Sequence, residues 1–351
     1  MIEFLIAFFG VFIATFSLTP LTTRLGLVDK PDKRKNHIGA IPLVGGIAMF
    51  ATTTLAALFF VPPSNEMTYL LAACALLTMT GSIDDRYDLH YQIRLGVQAI
   101  SACLLIWGAK TSLLSLGDII GVGAIQLGWL SIPVTTLAVI GLINAFNMID
   151  GMDGLSGGLS LITATALYFL IGDKIADGAS NILLLMMGAL SAYLIMNLHL
   201  LPKWTPKIFM GDAGSMLLGF ILTAFLIRYS QQPKQIMMPV TALWLVAVPL
   251  MDIFVTCFRR LKHKKNPFHA DRTHVHHIFL RAGLSSRTTL IAILGFQTVA
   301  AAAGVWLQVR FQSGVISFIA FIVLFFAYLE FIKHSFKAAK WLRRNITHTN
   351  R

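Results

Sequence analysis

Residues 129–155 read WLSIPVTTLAVIGLINAFNMIDGMDGL, an apolar segment that runs directly into a polar one. The apolar part, Trp129 to Ala145, has the length that a helix needs to cross a bilayer, roughly 17 to 25 residues. The polar part adds two amides and two carboxylates where this span ends. Because a carboxylate beside hydrocarbon is costly, one that persists there usually faces a watery cavity and has a function. The stretch therefore predicts a membrane-spanning helix that ends at a polar pocket.

The whole composition extends this interpretation. Of 351 residues, 56% are hydrophobic and only 13% are charged, and the mean hydropathy is +0.73. This balance is far from that of a soluble domain and predicts an all-α, polytopic integral membrane protein. Eleven apolar segments are long enough to be spans: Ile2 to Thr22, Leu43 to Val61, Met67 to Ile83, Leu95 to Leu114, Trp129 to Ala145, Ser156 to Ile171, Ala179 to Asn197, Ala213 to Ile227, Met238 to Phe258, Thr289 to Val309 and Val315 to Ile332.

The basic residues predict the orientation in the membrane. Of the 28 Lys and Arg residues, 23 fall in alternate loops and the C-terminal tail, which the positive-inside rule places in the cytoplasm. The N-terminus is then external and the C-terminus cytoplasmic. The net charge of +12 reflects this bias, and no interleaving of basic and aromatic residues indicates nucleic acid binding. We expect one integral membrane domain at residues 1–333 and a basic cytoplasmic tail at 334–351.

The acidic residues are the unexpected part of the composition. Of the 16 acids, 13 are Asp, and ten of these lie in the segments assigned to the cytoplasmic face. The positive-inside rule gives no reason to gather acids there, so a cation must offset them, most simply a divalent metal. The ten are Asp29, Asp32, Asp84, Asp85, Asp88, Asp150, Asp153, Asp212, Asp252 and Asp271.

Two inner loops combine these acids with basic residues. The first, at residues 27–46, contains Lys33 and Lys35, which could bind phosphate or merely anchor the chain under the positive-inside rule. The second begins with Asp84 and Asp85 at the end of an apolar span. Two adjacent carboxylates repel each other unless a cation intervenes. A role in binding a metal ion or a phosphate is therefore favoured over a simple solvated helix end.

Two later loops carry further candidates. Asp212 stands in a stretch of small residues, where it could bind a metal or simply cap the next helix. His274, His276 and His277 form a ligand cluster for a metal or a phosphate chain, although a structural zinc site is disfavoured because no cysteine accompanies them. Asp252, inside apolar sequence, is expected to pair with a basic neighbour such as Arg259 or Arg260.

These motifs together are similar to those of the polyprenyl-phosphate N-acetylhexosamine-1-phosphate transferase superfamily. The resemblance covers nearly the whole chain. It rests on Lys30-Pro31 with Arg34-Lys35 and Pro42-Leu43-Val44-Gly45-Gly46, on Asp84-Asp85, on Asn144 to Leu155, on Phe209-Met210-Gly211-Asp212-Ala213-Gly214-Ser215 and on His274-Val275-His276-His277.

The resemblance implies a substrate class. Within the superfamily the chain most resembles the bacterial branch that transfers N-acetylglucosamine 1-phosphate from UDP-N-acetylglucosamine to undecaprenyl phosphate. That step releases UMP and initiates O-antigen, common antigen or teichoic acid in the inner membrane. The branch that uses UDP-muramoyl-pentapeptide typically has three adjacent histidines followed by Glu. The pattern His-Val-His-His, with no such Glu, favours the simple amino sugar.

The resemblance also implies roles for single residues. A magnesium ion, for which manganese could substitute, would be held by Asp212, Asn147 and Asp85, and the active site would face the cytoplasm. Asp84, Asp85 and Asp212 would be catalytic, with the paired aspartates orienting or deprotonating the lipid phosphate. The remaining candidates would bind substrate: Phe209 with Asp150 or Asp153 on uracil, the three histidines on diphosphate or sugar, and Asn144, Lys33, Lys35 and Arg94.

Two alternatives stay open at this point. One is a related transferase that uses another UDP-amino sugar or UDP-muramoyl-pentapeptide. The other, from a different class, is a secondary transporter, because broken, glycine-rich helices that carry Asp and Asn also build ion sites. Transporter sites usually lie at the bilayer midplane between repeats, whereas these acids gather at one face and no repeat is detected. A homodimer is also left open.

Overall fold

The structure, a computed structural model, describes residues 1–29, 39–172, 174, 175, 177–262, 264 and 274–349. As predicted, these residues are mostly helical, with one short antiparallel pair of strands, β1 (Val28–Asp29) and β2 (Ile41–Pro42). The thirteen α-helices of the described chain are α1 Ile2–Arg24, α2 Gly45–Phe60, α3 Asn65–Tyr87, α4 Tyr91–Cys103, α5 Ser131–Ile149, α6 Leu155–Ile171, α7 Ala179–Asn197, α8 Gly211–Arg228, α9 Pro239–Leu245, α10 Ala247–Lys262, α11 Val275–Arg281, α12 Ser286–Arg310 and α13 Gly314–Thr349.

The helix lengths support a protein that crosses a membrane several times. Seven helical segments of the described chain are long and apolar enough to be spans, and a bent pair, α9 with α10, gives an eighth. The segments predicted at α2 and α6 are apolar helices of 16 and 17 residues. The span predicted at 95–114 corresponds to α4 and a π-helical turn at Leu104–Gly108. Every predicted segment thus meets a helix, while the count of eleven spans stays a prediction.

One predicted span differs in shape from the expectation. Met238 to Phe258 is two helices, α9 and α10, which meet at an angle of 85°. Pro249 explains why a new helix starts here, because proline lacks an N–H and is tolerated only in the first turn. The buried Gln297 of α12 satisfies the freed backbone: its Oε1 accepts from the Val248 N–H at 2.8 Å and its Nε2 donates to the Leu245 carbonyl at 2.9 Å. A break inside the apolar region needs such partners.

Helix α8 lies at the centre of the bundle. Its side chains are apolar on all faces and most of them are buried, which is the pattern of a core helix. On one side α8 packs against α3 and α5, around Phe220 and Ile143. On the other it joins the larger core that α1, α2, α6 and α7 form, in which Leu222 is fully buried. The N-terminus of α8 therefore meets the ends of several helices at one face.

At the opposite face, an ion-pair network joins the other ends of these helices. Arg228, the last residue of α8, pairs with Glu66 of α3 and lies 3.7 Å from the Asp177 carboxylate. Lys234 reaches Asp177 at 2.9 Å, and the Tyr229 hydroxyl donates to it. Burial would raise the pKa of Asp177, but the hydrogen bonds from Lys234 and Tyr229 hold it below its usual value. Each acid here has a cationic partner.

We predict that Arg228→Met destabilises the protein. Glu66 would lose its nearest cation and Asp177 would keep only Lys234, in a partly buried site, which should cost about 1–3 kcal/mol and lower the melting temperature in detergent. The exposed Arg310, at the same end of the bundle, gives the matched control Arg310→Met, which should melt like the parent protein. Equal melting temperatures for the two variants would show that the network does not contribute to stability.

Candidate active site

The two adjacent aspartates at the end of α3 point to different partners. Asp84 is buried, at 5% exposure, and its carboxylate accepts from Arg94 Nη1 and from the Leu89 N–H, both at 2.7 Å. The hypothesis of a solvated helix end is therefore wrong for Asp84. Asp85 instead faces α8, where its Oδ1 accepts from the Asp212 N–H at 2.8 Å. The two carboxylates therefore accept from different donors, Asp84 from Arg94 of α4 and Asp85 from the start of α8.

Asp85 is the cap of α8, although it belongs to another helix. Its two oxygens accept from the N–H groups of Asp212 and, at 3.4 Å, Ala213, which are unpaired within α8 because they lie in its first turn. Gly211 permits this approach: its φ is +69°, and a Cβ at this position would overlap the Asp85 carboxylate. The alternative that Asp212 itself only caps α8 is wrong, because Asp85 performs this role.

The side chain of Asp212 is directed to two other helices. Its Oδ1 accepts from Asn147 Nδ2 of α5 at 2.8 Å, and its Oδ2 lies 3.4 Å from Arg94 Nη1 of α4. Asn147 Nδ2 also donates to Ser215 Oγ at 3.0 Å, which leaves the amide oxygen of Asn147 as an acceptor. The Asp212 side chain remains 34% exposed. The structure thus brings the sequence-predicted residues of three loops together at one helix end.

Asn144 lies one helical turn away from this cluster. Its Nδ2 donates at 2.7 Å both to Gln98 Oε1 and to the Ile140 carbonyl. Gln98 is buried and was not among the residues predicted from the sequence. A lone polar residue in an apolar span was the available signal. The described contacts of Asn144 are to the protein, and its predicted contact with substrate stays a prediction.

The turn that follows α5 packs against the segment before α8. Asp153 pairs with Lys207 at 2.6 Å, and Lys207 Nζ lies 5.5 Å from the centre of the Phe209 ring. Asn197, buried on α7, joins the two segments: its Oδ1 accepts from the Gly154 N–H at 2.6 Å and its Nδ2 donates to the Ile208 carbonyl at 2.9 Å. Lys207 and Asn197 were not predicted, because only the folded chain supplies their partners.

Asp150 is a strongly perturbed carboxyl that directly follows the end of α5. Burial, together with the negative charges of Asp85 and Asp153, raises its pKa to about 7. A carboxyl with this pKa is about half protonated at neutral pH, and a cation or a hydrogen-bond donor favours its ionised form. The protonation state of Asp150 should therefore change when a ligand brings either one.

The first inner loop contacts the site through backbone hydrogen bonds to the segment before α8. Phe209 donates from its N–H to the Pro42 carbonyl, and the N–H groups of Gly45 and Gly46 donate to the carbonyls of Phe209 and Met210, each at 3.0 Å. These bonds fix the half-buried Phe209 beside the start of α2. Lys33 and Lys35, predicted to bind phosphate, lie outside the described residues.

The histidine cluster, which lies later in the chain, contacts the same site at the turn after α5. His274 and His276 are buried with nearly parallel rings, and His277 lies beside His276 with 4.2 Å between ring centres. His276 Nε2 lies against Gly151, where any Cβ would overlap it. Burial and the neighbouring His277 lower the pKa of His276 to about 3. The ring is therefore neutral at physiological pH, and its two nitrogens have no hydrogen-bond partner among the described groups.

The donor atoms at the start of α8 fit a magnesium ion. Carboxylate and amide oxygens are hard ligands of the kind that Mg²⁺ prefers, and Asp212, Asp85 and Asn147 offer them at one helix end. Arg94 is the cation that contacts Asp84 and Asp212 among the described residues. No three Asp, Glu, His or Cys side chains of the described chain converge as a ready-made metal site. Magnesium commonly takes one or two carboxylates and completes its shell with water and substrate oxygens.

Comparisons with known proteins identify the family. The chain is 39% identical over 351 residues to the undecaprenyl-phosphate alpha-N-acetylglucosaminyl 1-phosphate transferase of Haemophilus influenzae (strain ATCC 51907 / DSM 11121 / KW20 / Rd), covering 98% of this chain and 97% of that one. The sequence model described as Glycosyl transferase family 4 matches residues 67–230. The chain belongs to glycosyl transferase family 4. The family match includes Asp84, Asp85, Asn147 and Asp212.

Other members of the family extend the similarity across the chain. The proteins of the same name from Salmonella typhi and Escherichia coli (strain K12) are each 36% identical, over 349 and 337 residues. They cover 97% and 94% of this chain, and 93% and 90% of their own lengths. The resemblance inferred from the five motifs is therefore confirmed.

We predict a pH-dependent gain in stability for Asp150→Asn. Because folding raises the pKa of this carboxyl from its ordinary value near 4 to about 7, the folded state favours the protonated form. The parent protein therefore loses stability as pH rises from about 4 to 7, and the amide does not. The melting temperature of the variant minus that of the parent, measured with EDTA, should grow over this window and level off above it. Asp118→Asn, at the opposite face, is the control. A difference that does not change with pH would contradict the prediction.

Proposed function

We propose that this chain transfers N-acetylglucosamine 1-phosphate from UDP-N-acetylglucosamine to undecaprenyl phosphate, giving undecaprenyl-diphosphate-N-acetylglucosamine and UMP. The observation that carries the proposal is the cluster of Asp84, Asp85, Asn147 and Asp212 at one helix end, in a chain 36–39% identical to relatives named for this reaction. The product would start a lipid-linked polysaccharide of the cell envelope.

The reaction needs positioning more than it needs a strong base. An oxygen of the lipid phosphate attacks the phosphorus that carries the sugar, and the bond from that phosphorus to the oxygen of UMP breaks. The sugar–phosphate bond survives. A phosphate monoester has its second pKa near 6, so the nucleophile is mostly ionised at neutral pH. The barrier lies in bringing several anions together, which is an electrostatic task.

The chain offers groups for both phosphates. A magnesium ion held by Asp212, Asp85 and Asn147 would supply charge neutralisation for the transferred phosphoryl group. Arg94 has five N–H donors, of which its bonds to Asp84 and Asp212 use only some, so it can also meet a phosphate oxygen. Asp84, through Arg94, would orient the lipid phosphate. Lys33 and Lys35 would add positive charge from the first inner loop.

The nucleotide and the sugar would bind on the other side of the cluster. Phe209 would stack on uracil, and Asp150 or Asp153 would accept from its N–H edge. Lys207 is a further candidate, because it lies between Asp153 and the Phe209 ring. On the sugar-diphosphate side the candidates are Asn144, His274, His276 and His277. The neutral His276 can donate from one ring nitrogen and accept at the other, a pairing that suits an N-acetyl sugar.

We further propose the membrane arrangement that the basic residues indicate. The chain would cross the bacterial inner membrane eleven times, with an external N-terminus and a cytoplasmic C-terminus. The site at the start of α8 would then face the cytoplasm, where UDP-sugars are found, and the Arg228 network would lie outside. Undecaprenyl would stay in the bilayer and reach the site along the lipid-exposed side of the bundle.

The released nucleotide tests the reaction. Purified protein in lipid nanodiscs, given UDP-N-acetylglucosamine, undecaprenyl phosphate and Mg²⁺, should release UMP. Release of UDP would contradict phosphosugar transfer in favour of ordinary glycosyl transfer.

We predict that Asp212→Asn lowers the rate of UMP release about 100- to 1,000-fold, the scale of losing one electrostatic contact to a transition state. Asp118→Asn at the opposite face is the matched control and should keep the parent rate. Near-normal turnover of Asp212→Asn would remove this residue from the metal site.

A second prediction concerns the histidines. His276→Ala should fold normally and raise the KM for UDP-N-acetylglucosamine about tenfold, as expected when one hydrogen bond is lost. The KM for undecaprenyl phosphate should not change. His334→Ala, an exposed histidine at 72% side-chain exposure, serves as the control. Unchanged kinetics in His276→Ala would leave His276 with a packing role only.

A further inference from the structure

Asp252 is a buried carboxylate to which the proposed chemistry gives no role. It lies on α10, after the 85° break, with 4% of its surface exposed. Its Oδ2 is 2.6 Å from His274 Nδ1, and its Oδ1 accepts from the Val275 N–H at 2.9 Å and from the Tyr328 hydroxyl at 3.2 Å. These contacts come from the start of α11 and from α13. A buried carboxylate that meets three donors is held firmly in place.

The contact with Val275 fixes the direction of α11. His274 is the residue that precedes this helix, and Val275 is its first residue, with an N–H that is unpaired within the helix. By accepting this N–H, Asp252 fixes the backbone from which His274, His276 and His277 extend. This hydrogen bond to the start of α11 uses only Oδ1, whereas Oδ2 contacts His274.

The contact with His274 selects a tautomer. An ionised carboxylate only accepts hydrogen bonds, so the hydrogen of the neutral imidazole lies on Nδ1, which faces Asp252 at 2.6 Å. The other nitrogen, Nε2, is then an acceptor. The His274 ring lies parallel to that of His276, which rests against Gly151 in the turn between Asp150 and Asp153. The orientation of His274 is thereby tied to that of the histidine nearest the site.

We propose that Asp252 is a positioning residue for the UDP-sugar side of the reaction, holding His274 so that Nε2 accepts from a hydroxyl or amide N–H of the UDP-sugar while Tyr328 holds Asp252. The inference rests on the proposed function. The arrangement follows the pattern in which a carboxylate orients an imidazole that acts on a ligand with its other nitrogen. It also links the last predicted span, through Tyr328, to the binding of substrate.

The first test is Asp252→Asn in the full-length protein in nanodiscs. The amide keeps the shape but has one acceptor and one donor group, so it cannot accept from both His274 and Val275. The KM for UDP-N-acetylglucosamine should rise about 10- to 100-fold, as for the loss of a partner that orients a ligating histidine. The KM for undecaprenyl phosphate should stay within twofold. Asp252→Glu should restore at least part of the loss, because it restores the carboxylate.

A purely structural role predicts a different result. Ser285 caps α12 by accepting from the Thr288 N–H at 3.1 Å, so Ser285→Ala removes a cap without touching the histidines. This variant should melt at a lower temperature and keep both KM values. Should Asp252→Asn behave in the same way, with lower stability and both KM values unchanged, the proposal would be overturned.

One substitution of His274 tests its two ring nitrogens separately. The amide nitrogen of Asn reproduces the position of Nδ1 and leaves nothing at the position of Nε2. His274→Asn should therefore melt like the parent, because it can still donate to Asp252, and should show the raised KM for the UDP-sugar. A parent-like KM in His274→Asn would mean that Nε2 does not meet substrate, which would overturn the proposal.

UMP release by the parent protein distinguishes a failure of the proposed function from a failure of the inference about Asp252. If the parent releases no UMP from UDP-N-acetylglucosamine, the proposed function fails. If the parent releases UMP and neither the Asp252 nor the His274 variant changes the KM for UDP-N-acetylglucosamine, the inference about Asp252 fails while the proposed function stands.

Discussion

The carboxylate of Asp85 ties the end of α3 to the start of α8, and the polar cluster depends on this contact. The first N–H groups of α8 have no partner within the helix, and each would cost about 1–3 kcal/mol if it were buried unpaired. Asp85 accepts two of them. With α8 fixed in this way, the side chain of Asp212 lies between Asn147 and Arg94. The cap and the proposed metal site are parts of one arrangement.

The charge balance differs between the two ends of the bundle. At the far end, Glu66 and Asp177 meet Arg228 and Lys234, so acids and cations pair one to one. At the start of α8, Asp84, Asp85, Asp150 and Asp212 lie close together, and Arg94 is the cation that the described contacts supply. Burial raises the pKa of Asp150, and the negative charges of Asp85 and Asp153 raise it further. Because this site has more carboxylates than cations, we expect it to bind a cation together with its substrates.

The membrane constrains how such a site can be assembled. Helix ends and irregular backbone are tolerated at membrane depth only where other groups satisfy the free N–H and carbonyl groups. Gln297 does this at the break between α9 and α10, and Asn197 does it between Gly154 and Ile208. The break allows α10 to turn and bring Asp252 to the start of α11. Buried amides far from the reaction therefore shape the histidine side of the site.

The sequence by itself determined the helical class, the positions of the apolar segments and the loops whose motifs indicate the family. It could do so because hydropathy and motif spacing are local properties. Only the tertiary structure decided which atoms meet. Asp85 caps a helix that begins far along the chain, Arg94 joins Asp84 to Asp212, and Asp252 binds His274. The sequence could not give Gln98, Asn197 or Lys207 a role, because a lone polar residue acquires its meaning from a partner that folding supplies. The break inside Met238 to Phe258 was missed for the same reason, since a proline in apolar sequence marks a break only where a residue such as Gln297 can satisfy the backbone.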